Sequence, residues 1–352
     1  MNTARINAAK DGHLSAGMNT TSLCIYHGNC ADGFGAAWVV WQALGLTEDQ
    51  FFAGTYQDPP PDVRGRDVIM VDFSYKRPVI EKMLEECQSL LIIDHHKTAI
   101  EDLSGLLATD HFTTLFDVDH SGAILAWDFF YPGKAPPQLL RHIEDRDLWR
   151  FALDGTREIQ ACLFSYPYDF QVWDRLIRGW DTSSLRLEGA AIERKHHKDV
   201  AELVEVTKRP IEIAGYRVQA CSLPYTLTSD AGHLLCEQGN AFGVCYWDTP
   251  EGRVFSLRSL GGGVDVSEIA KRYGGGGHRN AAGFRVSFSE AAKFEVEKGQ
   301  EIISTIADYY DSKDREARRL ADELKAVQER GAPSAEIKRL TSRLEMARYV
   351  GD

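Results

Sequence analysis

The chain has 352 residues, 43% of them hydrophobic and 26% charged, a balance that suits a soluble globular protein long enough for two domains. Forty basic residues against 52 acidic ones give a net charge of −12, so no general field would hold a long polyanion on the surface, and action on nucleotides would need a local site with metal ions. No apolar stretch approaches the ~20 residues that span a bilayer, and seven scattered cysteines without a Cys-x-x-Cys pair point to reduced thiols in the cytoplasm rather than structural zinc.

Residues 1–21 lack the apolar core of a signal peptide and read as a loose tail, with Met18 as an alternative start. "SLCIYH" (22–27) then predicts a strand leading through "GNCAD" into a helix, "GFGAAWVVWQALG". "DVIMVDF" (67–73) predicts a second strand. "KRPVIEKMLEEC" predicts a helix with Pro78 in its first turn, and "SLLIID" (89–94) a third strand. Near-continuous apolar strands alternating with helices indicate a parallel sheet covered on both faces. After residue 120 helices dominate: "SGAILAWDFF", "PPQLLRHIEDRDLWRF", "GTREIQACLF" and "YDFQVWDRLIRGW". A long amphipathic stretch, 184–208, is placed as a linker helix. Residues 209–310 follow as a smaller α+β domain, and 311–352 as a helical hairpin whose apolar stripes either pack together or support a homodimer.

The three clearest strands each end in metal-capable side chains: His27 with Asp32 after it, Asp72, and the triplet Asp94, His95 and His96. Ligands in open α/β sheets bind at the carboxyl ends of the strands, and parallel neighbours would bring these endings within about 5 to 10 Å. Each Asp taken alone is more often a turn former or helix cap, and each His a surface residue; their coincidence on one rim favours a metal site. A second constellation, "RYGGGGHRNAAGF" (272–284), places Gly275, Gly276, Gly277, His278 and Arg279 where backbone N–H groups could cradle a phosphate, with Arg258 as a further cation. His196 and His197 are expected on a solvated helix face, Trp38, Trp41 and Trp127 in the core, and Ser121 as a helix cap.

Over residues 22 to 310 the chain resembles the DHH phosphoesterases, in the branch with a DHH-associated domain and a GGGGH signature. "YHGNCADGF", "VDFS", "IIDHH", "EDRDLW" and "GGGGHRNAAGF" stand in the family's order. The resemblance implies a parallel-sheet DHH domain (22–183), the linker helix and a substrate-binding domain (209–310). It implies His27, Asp32, Asp72 and His95 as metal ligands, with Asp72 shared between ions, His96 at the scissile phosphate or behind the metal, and Asp94 orienting its neighbours. Asp145 is the choice for the fourth motif and Asp147 its reserve. Gly275 to Gly277 and His278 would hold a phosphate. The family's first motif reads Asp-x-Asp, whereas Asp32-Gly33 is followed here by Phe34, which leaves one or two ions open. The implied cofactor is a divalent metal, foremost Mn2+. The implied function is hydrolysis of short oligonucleotides or dinucleotides by a metal-activated hydroxide, the second domain closing over the first, with no long duplex and no membrane as partner. The nearest alternatives are a 3′-phosphoadenosine 5′-phosphate phosphatase, a cyclic-dinucleotide phosphodiesterase and, outside enzymes, a nucleotide-binding interaction module.

Overall fold

The computed structural model describes residues 21–179, 181–296 and 315–348. The expected tail at 1–21 therefore lies, but for Thr21, outside the described residues.

The first sheet is built from β1 (Ser22–His27), β2 (Phe51–Gly54), β3 (Asp67–Val71), β4 (Ser89–Asp94) and β5 (Phe112–Phe116), in the order β2-β1-β3-β4-β5 with every pairing parallel. Alternation along the strands sorts their side chains to two faces. Cys24, Ile69, Val71, Leu91 and Ile93 enter one core with α1 (Ala31–Leu44), α4 (Gly122–Phe130), α5 (Gln138–Asp147), α6 (Thr156–Leu163) and α7 (Phe170–Gly179). Leu23, Ile25, Val68, Met70, Leu90 and Ile92 enter the other, beneath Ile80 and Met83 of α2 (Arg77–Glu86) and Leu103 beyond α3 (Lys97–Asp102). The doubly covered parallel sheet is thus present, and β2 and β5 are short edge strands that the apolar pattern did not announce.

Chain order and sheet order diverge around β1: the chain moves to β2 on one side, then to β3 on the other. Such a reversal opens a crevice between the carboxyl ends of β1 and β3, where ligands of this architecture bind.

The predicted linker is α8 (Thr182–Thr207), capped at Asp181, whose carboxylate accepts from Ser184 N at 2.7 Å. It leads to a six-stranded mixed sheet of β6 (Arg209–Ile213), β7 (Tyr216–Ser222), β8 (Gly243–Thr249), β9 (Gly252–Arg258), β10 (Gly276–His278) and β11 (Ala281–Val286), ordered β10-β11-β9-β8-β7-β6. Helices α9 (Thr228–Glu237) and α10 (Val266–Arg272) accompany it, and Val200 and Val204 of α8 share a core with Cys221, Leu235 and Cys245.

Both sheets fall in one compact unit through Ala292; Lys293–Asp352 forms a second. In that second unit α11 (315–329) and α12 (Ser334–Arg348) bury Leu320, Val327, Leu340 and Leu344 against each other. The hairpin therefore covers its own apolar stripes. No helix among the described residues is long and apolar enough to cross a membrane.

Candidate metal centre

Asp72 follows β3 with φ at 54°, in the left-handed region that Asp tolerates better than most side chains, and its N–H is tied to Ile93 O at 2.9 Å. This turn drives the carboxylate into the crevice. Its Oδ2 lies 3.5 Å from His27 Nδ1 at the end of β1, and its Oδ1 lies 3.0 Å from His95 Nε2 beyond β4. One carboxylate thus faces two donor sets. On one side His27, Cys30 and Asp72 offer ligand atoms within 4.8 Å of one another; on the other Asp32, His95 and Asp147 do the same. His95 Nε2 stands 3.6 Å from both Asp32 Oδ2 and Asp147 Oδ2.

The partners behind these groups fix their orientation. Asp32 accepts from Gly122 N at 2.6 Å and Ala123 N at 3.1 Å, so the positive end of α4 steadies it. The approach is so close that a Cβ on Gly122 would lie 2.4 Å from Asp72 Cβ, which is why that position is glycine. Ser121 accepts from Ile124 N and caps the same helix. Asp94 is fully buried, and its Oδ1 accepts from His95 N, His96 N and His96 Nδ1 at 2.7, 3.2 and 2.7 Å. It holds the triplet's backbone and one ring in place, as a second layer behind metal ligands does.

His278 arrives from the second sheet. Its ring stacks on His96 with centroids 4.3 Å apart and tilts against His95 at 4.5 Å. Gly277 N donates to Thr98 Oγ1 at 3.0 Å, and a Cβ on Gly276 would sit 2.7 Å from that oxygen, so the glycines permit the approach of β10 to α3. Lys97 Nζ reaches Asp265 at 2.7 Å and Glu268 at 3.0 Å, Lys271 pairs with Glu101, and Arg285 with Asp58 at 2.9 Å. A second joint gathers His196, Arg157 and Arg146 around Asp230 at 2.9, 3.4 and 3.6 Å, beside Trp149 stacked on His233 at 3.8 Å.

The electrostatics are those of a buried cluster with excess negative charge. Burial, together with the charges of Asp72 and Asp147, pushes the Asp32 carboxyl well above its usual range, and burial likewise raises Asp147. Burial opposes ionisation of Asp72 as well, but the adjacent imidazoles of His27 and His95 override it and hold that carboxyl well below its usual range. Burial would also lower His27 and His95, yet Asp72 reverses this and both imidazoles rise well above their ordinary value. His278, buried beside His96 and His95, is pushed well below and stays neutral. Retained protons therefore stand where a divalent cation would place its charge. Among the described residues Asp72 Oδ1, Asp94 Oδ2, Asp147 Oδ2, His27 Nδ1 and His95 Nδ1 are buried without a hydrogen-bond partner. Orphaned donors of nitrogen and oxygen type on both sides of one carboxylate, with a thiol beside them, fit a pair of divalent ions.

Several expectations need correction. Asp145 is not at the cluster: it accepts from Ala152 N, Leu153 N and Thr156 Oγ1 at 2.8, 3.0 and 2.5 Å, and these bonds end α5 and fix the following loop. Asp147, the reserve, faces His95 instead. Helix α5 stops at Asp147 because Trp149 and Phe151 adopt positive φ, turning those loop amides back to Asp145. Phe34 lies in the aromatic core, stacked on Phe170 at 4.7 Å and edge-on to Trp173, remote in role from any ligand position. The glycine run is not an open phosphate cradle, since Gly274, Gly275 and Gly277 spend their N–H groups on Lys271 O, Ala270 O and Thr98. Arg258 donates to Ser229 Oγ and Ser256 Oγ at 2.8 and 3.0 Å and feels the Asp147 charge without bonding to it. Arg279 turns to Asp265 and Gly263 O. His196 is not on a free helix face, being tied to Asp230; His197 pairs with Glu193 on its own helix. Cys30 was missed, although the "NCAD" spacing places it two residues before Asp32.

Comparison with known proteins adds sequence kinship first. The chain is 30% identical over 292 residues to the uncharacterized protein R106 of Acanthamoeba polyphaga mimivirus, covering 75% of this chain and 67% of R106, and the two belong to one family. No protein-family model matches. Among solved structures, the DHH domain of a member of the s1p family of ribosomal proteins matches at 13% identity and TM-score 0.49, over 86% of this chain and 88% of its own. RecJ from Thermus thermophilus in complex with Mn2+ matches at 14% and 0.43, over 84% and 54%. The pGpG-specific phosphodiesterase PggH from Vibrio cholerae matches at 13% and 0.38, over 81% and 99%. These scores lie below 0.5, so the assignment rests on the chain's own residues: an Asp-His-His triplet closing a central parallel strand, a shared Asp at the β1/β3 crevice, and a glycine-rich strand that delivers a histidine onto the triplet. Those are the features by which the chain resembles the DHH phosphoesterases.

Proposed function

We propose that the protein is a divalent-metal phosphodiesterase acting on dinucleotides or short oligonucleotides, with Mn2+ at the oxygen-rich set of Asp32, His95 and Asp147. The observation that carries the reading is Asp72, one buried carboxylate whose two oxygens face separate donor sets under the ring of His278. Bound divalent ions supply Lewis acidity there, lowering the pKa of water and offsetting charge on the phosphoryl oxygens.

The chain's own groups do the rest. Asp72, Asp32 and Asp147 set the spacing of the charges, and Asp94 keeps His95 and His96 aimed into the crevice. Neutral His278 can donate one N–H to a phosphoryl oxygen without adding a cation that would compete with metal binding. The bonds of Lys97 with Asp265, of Gly277 N with Thr98 and of Arg285 with Asp58 hold His278 over the crevice and limit its length, which supports a short substrate over a long strand. Seven unpaired cysteines support a reducing, cytoplasmic setting.

The test incubates the purified chain and Mn2+ with an end-labelled dinucleotide and a labelled 20-mer. Faster turnover of the dinucleotide is expected; equal or faster turnover of the 20-mer refutes the short-substrate reading, and inertness towards both refutes the activity.

A further inference from the structure

The donor set on the His27 side of Asp72 differs in chemistry from its neighbour. It joins an imidazole, a carboxylate and the thiol of Cys30, with the three ligand atoms within 4.8 Å of one another. Cys30 occupies the N-cap position of α1 in extended conformation, yet its side chain makes no capping hydrogen bond. Ser, Thr, Asp or Asn would ordinarily stand there and satisfy an exposed helix N–H, so a cysteine forgoes that contribution. Its sulfur is also outside any disulfide. In the same set His27 Nδ1 is buried without a hydrogen-bond partner, 3.5 Å from Oδ2 of Asp72, a residue only 1% exposed. A thiol placed beside an unsatisfied imidazole and a buried carboxylate is positioned as a third donor.

We propose that Cys30 Sγ is a metal ligand, and that the His27, Cys30 and Asp72 set selects a thiophilic divalent ion such as Zn2+, Cd2+ or Co2+. Three protein donors leave a fourth tetrahedral position open, the arrangement of a reactive rather than a structural ion. The second set of Asp32, His95 and Asp147 carries no sulfur and favours a harder ion such as Mn2+. The centre is then chemically asymmetric, one softer and one harder ion bridged by Asp72. The inference rests on the proposed function for the use of two ions, but its test reads ligation and not turnover.

The experiment titrates the full chain, stripped with a chelator, with Co2+. The expected result is a near-ultraviolet thiolate-to-cobalt charge-transfer band in the parent chain that is absent from Cys30→Ser and Cys30→Asp. Cd2+ should bind the parent at least ~10-fold more tightly than Cys30→Asp, with Mn2+ affinity shifted the opposite way. On the unaltered chain, Co2+ should protect Cys30 from iodoacetamide, read by peptide mass spectrometry, which decides the matter even if both variants misfold. A band that persists in Cys30→Ser, cobalt bound without the band or the protection, or no cobalt bound at all overturns the proposal. A chain that shows the band but cleaves no phosphate ester refutes the proposed function and leaves this ligand assignment standing.

Discussion

Asp145 and Asp147 stand two residues apart on one helix and should fail in opposite ways when each is changed to Asn. Asp145 is 4% exposed and receives three hydrogen bonds, at 2.8, 3.0 and 2.5 Å, from Ala152 N, Leu153 N and Thr156 Oγ1. An amide keeps one acceptor oxygen and turns an NH2 towards the remaining donors. Bonds to a charged acceptor contribute about 1.5–3 kcal/mol each, and a buried donor left facing a donor adds its desolvation cost, so Asp145→Asn should lose about 2–4 kcal/mol, roughly 30- to 1000-fold in the folding equilibrium. Mn2+ affinity should be unchanged. Asp147 instead has an unbonded Oδ2 facing His95 and adds negative charge beside Asp72. Asp147→Asn should therefore leave stability equal or slightly higher, while Mn2+ affinity falls by at least about 100-fold, beyond what loss of a group behind a ligand costs. The sign with pH separates them further. Burial raises the Asp145 carboxyl but Thr156 and the two amides outweigh it, so its folded value is depressed. Its contribution is complete above the unfolded value of about 4 and fades as pH falls through the folded value, so the deficit of Asp145→Asn should shrink in acid. Urea midpoints by tryptophan fluorescence, taken with chelator, and calorimetric Mn2+ titrations give both quantities. If Asp145→Asn loses metal while Asp147→Asn loses stability, the placement of the two side chains is wrong.

Other perturbations reach different parts of the same argument. Lys97→Ala removes bonds to Asp265 and Glu268 from a partly exposed group, so stability should change by less than about 1 kcal/mol, whereas KM for the dinucleotide should rise several-fold with kcat little altered; high salt should mimic it. Gly122→Ala drives a methyl group to 2.4 Å from Asp72 Cβ and should cost about 1–3 kcal/mol in the urea midpoint, together with a larger loss of metal affinity read by calorimetry. Asp230→Asn leaves Arg146, Arg157 and His196 facing each other and should cost on the order of 3 kcal/mol at neutral pH. Burial raises the Asp230 carboxyl, but His196 and the arginines depress it overall, so that deficit too should diminish as the unaltered protein is acidified below about pH 4 in the same urea series.

Strand composition and strand endings carried most of the fold and half of the centre. "VIMV" and "LLII" are short, unbroken apolar runs rich in β-branched residues, as strands buried on both faces are, and each delivers its acid or histidine to the edge where the crevice opens. What the pattern could not resolve is direction around a helix. Residues two apart on a helix point about 200° from each other, so "EDRD" offers two carboxylates, and only the loop that folds back from Trp149 and Phe151 decides which is consumed as an internal bond. The sulfur donor escaped for a related reason. Cysteine pairing rules concern cysteines near one another in sequence, whereas Cys30 meets its companions through β1 and β3. The cationic expectations at Arg258 and Arg279 failed because composition counts charges without their acceptors, and serines, Asp265 and a backbone carbonyl had already claimed both guanidinium groups.

Residues 94–98 serve two masters. The triplet furnishes the rim of the crevice, and the next two side chains, Lys97 and Thr98, are the handles by which the opposite sheet is gripped. With no residue between them, a displacement of either handle is passed directly to the backbone that aims His95 and His96. One short segment thus ties the seating of the second sheet to the orientation of the two imidazoles, so a change at either handle should be felt at the crevice as well as at the joint.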